Sequence, residues 1–180
     1  GCVVARNLVF DWNDAGLGQS RGVGFEPATV CRWATPTPDA DAAPDRLVVD
    51  ASPDRAWHAW TTSEAAAALG DLALDRDSAW ALSTLERADL RALAGDQRII
   101  AVEGTDGEDL AAVTARVGTR DREDPESGTL TVAEYALAAW ADLDGAAALF
   151  DAIRADAATR DADAARVLLP ETARHPADAA

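Results

Sequence analysis

Two apolar segments, QRIIAVEG (97–104) and DLAAVTARVG (109–118), flank a turn rich in Gly and Asp. Both are rich in β-branched residues, and the short Gly-containing connection predicts an antiparallel hairpin. A third apolar segment, TLTVAEYALAAW (129–140), follows a charged stretch, TRDREDPESG, expected as a loop. Then Leu143, Ala147, Phe150 and Ile153 recur at helical spacing, predicting a helix over 143–159. ARVLLPE (165–171) reads as one more strand. A strand–helix–strand unit implies a right-handed crossover and parallel pairing. The expected fold class is therefore α+β, a mixed sheet flanked by helices.

Upstream, Pro53 with Ser52 as N-cap starts a helix expected to reach Leu69 and stop at Gly70. WALSTL (80–85) is expected as a strand and ERADLRALAG (86–95) as a short helix. The segment PTPDADAAPD (36–45) lacks periodicity and reads as a linker, which a protease is expected to cut. Before it stand strands at 2–10 and 28–34, with a Gly-rich helix between Asn13 and Gly22. A last helix is expected from Thr172. The domains so drawn are 1–35, a linker at 36–46, and 47–180.

Charge narrows the partners. The chain carries 23 Asp and 9 Glu against 16 Arg and no Lys, a net charge of −16. Such a field repels phosphate backbones, which argues against nucleic acid. No apolar run approaches the ~20 residues of a membrane span. Excess Asp, absent Lys and 43 Ala resemble the composition of cytoplasmic proteins from salt-accumulating halophiles. Two Cys, Cys2 and Cys31, are expected as buried thiols of a cytoplasmic protein. With no Met anywhere, the chain is expected to be a fragment, cut at the front and shortened at the back.

The stretch from Asn13 to Phe25 resembles a motif of the GNAT (Gcn5-related) N-acetyltransferases, N-x-x-A-x-x-L-Y-x-x-x-G-F between two strands. Asn13 and Gly24-Phe25 stand at its ends; Gly16, Gln19 and Ser20 take its Ala, Leu and Tyr positions. The resemblance implies that residues 1–35 are the C-terminal part of a first GNAT domain. In that family the Asn and its helix lie along the pantetheine arm of acetyl-CoA, which implies cofactor contacts at Asn13, Gly16 and Arg21. The Tyr often protonates the departing thiolate. Ser20 stands there, a poorer acid on a shorter side chain. Gln19-x-x-Gly22-x-Gly24 also fits the family's phosphate loop, but Glu26-Pro27 and a strand follow it instead of a helix, and that match is rejected. The first domain's own phosphate loop is expected upstream of Gly1.

Residues 47–180 resemble a second GNAT-like domain in their element order. Its phosphate loop would fall at 140–145, where Asp142 and Asp144 stand. Carboxylates cap a helix well but repel a diphosphate, so this copy is expected to be degenerate. Glu134 lies mid-strand at the height where a GNAT copy meets its acceptor, as a candidate general base. Tyr135, beside it, is expected in the core.

Together these imply an acetyltransferase moving acetyl from acetyl-CoA to an amine, whether small molecule or protein terminus, with the fragment itself inactive. The alternative is a non-catalytic domain that supports a partner, covers an acceptor cleft or forms a homodimer. An unrelated binding module with a chance Asn–Gly–Phe spacing is the third reading. His58, between Trp57 and Trp60, is expected as a partly buried core residue, and His175 as exposed. Neither has a ligand-like neighbour, so no metal site is expected.

Overall fold

The computed structural model describes residues 14–25, 31–42, 44–48, 51–63, 87–94, 96, 98–124, 128–136 and 138–170. The expected strands at 2–10 and 80–85, the helix from Thr172, Cys2, Asn13 and His175 lie outside them. The chain forms two compact units, Gly1–Val30 and Cys31–Ala180.

In the first unit, helix α1 (Asp14–Gly22) spans the expected Gly-rich segment. Its end is built by backbone chemistry. Phe25 N–H donates to the Ser20 carbonyl at 3.0 Å and Gly24 N–H to the Arg21 carbonyl at 3.0 Å. Gly24 sits at φ +90°, a region that penalises any side chain. This is a Schellman stop, which satisfies the last carbonyls of the helix.

The second unit is a seven-stranded mixed sheet between helices. Its strands are β1 (Cys31–Ala34), β2 (Leu47–Val48), β3 (Ile99–Glu103), β4 (Leu110–Asp124), β5 (Gly128–Tyr135), β6 (Ala139–Trp140) and β7 (Ala164–Pro170). The order is β1-β7-β5-β4-β3-β2, with β6 also on β4. All pairs are antiparallel except β5 with β7, which are joined by the crossover helix α4 (Leu143–Ala158). Helices α2 (Pro53–Thr61) and α3 (Arg87–Ala94) pack on one face through Ala56, Trp60 and Leu90 against Ile99, Val113 and Ala136. On the other face α4 places Leu149, Ile153 and Ala157 on Val102, Tyr135 and Val167.

The hairpin, the α4 crossover and the Ser52 cap lie where sequence placed them. Ser52 Oγ accepts the Arg55 N–H at 3.2 Å. Four expectations change. The charged stretch from Thr119 to Asp124 is strand, paired with β5 out to Gly128. Its polar side chains match across the ladder, as where Thr131 Oγ1 donates to Asp121 at 3.2 Å. The strand expected over 129–140 is broken: the Ala138 N–H donates to the Leu168 carbonyl of β7, after which β6 pairs only with β4. Helix α2 closes at Thr61, where the hydroxyls of Thr61, Thr62 and Ser63 donate back to the carbonyls of Trp57, His58 and Trp60. His58 is exposed, because Ala56 and Trp60 define the buried stripe and His58 lies half a turn from both.

Residues 36–42 of the expected linker are docked along α4. Asp39 N–H donates to the Arg154 carbonyl at 3.1 Å, and Arg154 returns bonds to the Thr37 carbonyl at 3.1 Å and the Asp39 carboxylate at 2.7 Å. Strand β1 also pairs with β7, within the compact unit Cys31–Ala180.

Candidate functional site

The start of α4 is closed by its own cap. Asp142 lies in extended backbone at φ −151°, and its Oδ1 accepts the Gly145 N–H at 2.6 Å. Asp144 adds a second carboxylate to the first turn. One of the N–H groups that would draw an anion is thus already taken, and the positive dipole end already carries carboxylates. Gly145 is there because nothing larger fits. A Cβ on it would stand 2.8 Å from the Ala111 carbonyl oxygen and 2.9 Å from the Ala111 Cβ. That carbonyl already accepts the Ala141 N–H at 2.8 Å.

A small cavity of about 180 Å³ opens beside this turn, between Ala59 and Thr62 of α2, Ala111 of β4 and Trp140 of β6. Its wall is alanine-rich with Thr62 and Ser63 among the lining residues, and it is below the ~300 Å³ at which small-molecule pockets begin.

On the α4 face, Arg116 of β4, Tyr135 of β5 and Asp156 of α4 converge. An Arg116 guanidinium nitrogen donates to both Asp156 oxygens, at 2.7 Å to Oδ2, and the Tyr135 hydroxyl donates to the same Oδ2 at 2.7 Å. Arg116 and Asp156 side chains are 9% and 12% exposed, so the pair is nearly dry. Burial, and then the adjacent Asp156 charge, push the Tyr135 phenol well above its ordinary value. The network is satisfied within itself and joins sheet to helix. It leaves no group free to meet a substrate.

Glu134 points the other way, as strand alternation requires. Its carboxylate is 12% exposed and is held by Arg120 Nε at 2.9 Å and by Arg122 at 2.6 Å. The candidate base therefore sits in an ion-pair cluster. Across β7, Arg166 is in register with Glu134, and its guanidinium carbon lies 3.9 Å from the Trp33 ring centroid. Sequence reading named Glu134 but missed these arginines, which in sequence look like a solvated loop.

Of the remaining candidates, Gly16 and Ser20 are one helical turn apart on α1 and half-buried, and Arg21 is exposed. Gln19 and Gly22 lie in the last turns of α1, where carbonyls and not N–H groups emerge, the wrong polarity for a phosphate. Among the described residues, no group of three or more His, Cys, Asp or Glu is placed to hold a metal. Among them too, no helix is long and apolar enough to cross a membrane. No protein-family model matches the sequence, and neither the curated proteins nor the solved structures contain a match.

Proposed function

We propose that the chain is part of an acyl-CoA-dependent N-acetyltransferase, transferring acetyl from acetyl-CoA to an amine, in which the second unit is a non-catalytic GNAT-like module. The observation that carries the second half is the Asp142 carboxylate on the Gly145 N–H at 2.6 Å. It stands at the start of the helix that follows β6 and leads into the parallel β5–β7 pairing. In a donor-binding copy the same backbone groups would face a diphosphate. Here a bound diphosphate would meet two carboxylates at close range, each repelling it. Transfer chemistry then belongs with the unit carrying Asn13, Gly16, Ser20 and Arg21, where an amine that has lost its proton attacks the thioester carbonyl. Ser20 at the acid position makes a weak proton donor for the leaving thiolate, so the whole protein works slowly or through another acid, and the fragment itself is inactive. The second unit serves as a support, or covers the acceptor.

Hydrogen exchange on the full chain tests the proposal. Acetyl-CoA is expected to leave the amides of residues 142–148 unchanged. Added protection confined to that turn would overturn the reading of a degenerate second unit.

A further inference from the structure

A bulge in β4 decides where a group of arginines points. Arg116 pairs with Tyr135, but Gly118, not Val117, pairs with Glu134. One extra residue reverses the alternation beyond it. Arg116 faces α4; past the bulge, Gly118, Arg120 and Arg122 share the face of Glu134, away from α4. On that face α2 and α3 cover the part of the sheet carrying Ile99, Val113, Ala136 and Leu168. Beyond their cover lie Trp33, Arg120, Arg122, Glu134 and Arg166.

The local charge there is opposite in sign to that of the chain as a whole. Glu134 offers one oxygen to Arg120 and the other to Arg122. Among the described residues Arg166 has no carboxylate partner of its own; its guanidinium carbon lies over the Trp33 ring at 3.9 Å from the centroid. Among the described residues, even with Asp124 at the far end of the same row, three guanidiniums meet two carboxylates, in a chain whose net charge is −16. Burial, and then the charge of Arg122, draw Arg166 below the usual guanidinium value, so the two cations feel each other. The Trp33 ring and the Glu134 pairs hold the forks in place before any ligand arrives.

We propose that Arg122, Arg166 and Trp33 form a binding site for a small ligand that carries a phosphate or carboxylate group, seated between the two guanidiniums. Two planar forks match such a group with paired hydrogen bonds. A large acidic partner, or a second copy of this chain, would bring its whole negative field against a net charge of −16. A small anion brings one or two charges and meets the locally positive spot.

Calorimetric titration of the full chain with inorganic phosphate and, separately, with malonate tests this, KCl holding ionic strength constant. At least one probe is expected to saturate, and the tighter one identifies the group recognised. Arg122→Gln and Arg166→Gln are expected to weaken it about tenfold or more. Arg91→Gln removes an equal charge at an exposed position paired with Asp54, and is expected to bind as the parent does. Arg166→Lys keeps the charge but not the flat fork, and is expected to bind several-fold more weakly. The Trp33 indole resonance is expected to shift on binding. Saturation by neither probe, equal loss in Arg91→Gln, full-strength binding by Arg166→Lys, or a Trp33 resonance that stays put would each overturn the site. The readout lies far in sequence from residues 142–148, so its failure and that of the degenerate-module reading are separable.

Discussion

Arg98 donates from Nε to the Arg116 carbonyl at 2.9 Å and from a terminal nitrogen to the Val117 carbonyl, the two residues at which β4 slips against β5. A bulge leaves backbone carbonyls without ladder partners, and a guanidinium with several donors can satisfy two at once. Arg98→Met keeps much of the stem but removes both donors. It is expected to cost about 1.5–3 kcal/mol, the range for hydrogen bonds to a charged group. Anion binding at Arg122 and Arg166 is expected to weaken with it, since the bulge sets their face. Denaturant melts beside the phosphate titration check both.

The Arg116–Asp156–Tyr135 network predicts an asymmetric mutational series. Asp156→Ala leaves Arg116 buried without its counter-charge and is expected to cost about 3–5 kcal/mol. Tyr135→Phe removes one donor from a carboxylate that keeps Arg116, and is expected to cost about 1 kcal/mol. The phenol's folded value is raised, so its contribution is whole below the unfolded value of ~10 and is lost as pH climbs toward the folded one. Parent protein is therefore expected to lose stability above about pH 10 more steeply than Tyr135→Phe. Urea melts at pH 8 and in the alkaline range measure the difference.

Gly145→Ala tests the close approach of α4 to β4. The added methyl carbon would stand 2.8 Å from backbone at Ala111, which is not a flexible side-chain end. Helix propensity alone favours Ala by up to ~1 kcal/mol. Overpacking costs of about 1–3 kcal/mol outweigh it, so a lower melting temperature is expected.

The docking of 36–42 on α4 predicts protection of a segment that looks like a tether. Its aspartates, including Asp39 and Asp41, invite an Asp-specific protease. The parent chain is expected to resist cutting there, and Arg154→Ala, which removes the bonds to Thr37 and Asp39, is expected to be cut faster. Limited proteolysis followed by mass analysis reads the positions directly.

Salt should stabilise the chain. A net charge of −16 pushes the compact state apart at low ionic strength, and at ~1 M salt the screening length falls to about 3 Å. Melting temperature is expected to rise between low and molar KCl, although exposed pairs such as Arg55–Glu103 weaken.

Local pattern was enough to read the hairpin at Ile99–Ala115, the cap at Ser52 and the crossover helix with its Asp142 start, because spacing, turn chemistry and capping act over a few neighbouring residues. The same locality explains why Asp142 could be recognised as a good cap for that helix before any coordinates. Thr119–Asp124 looked like a loop because strand pairing is made by backbone groups, and a partner such as Thr129–Val132 supplies those from elsewhere in the chain. Tertiary structure alone decided that Val117 would be the extra residue. It also decided that Arg98, just before β3, would reach across to hold it, and that Arg122 and Arg166, 44 positions apart by number, would share the sheet face of Glu134, with Arg166 against Trp33. Those relations depend on register and on which strands lie side by side. Both are set by how the whole sheet buries its two faces, and no short stretch of residues carries that information.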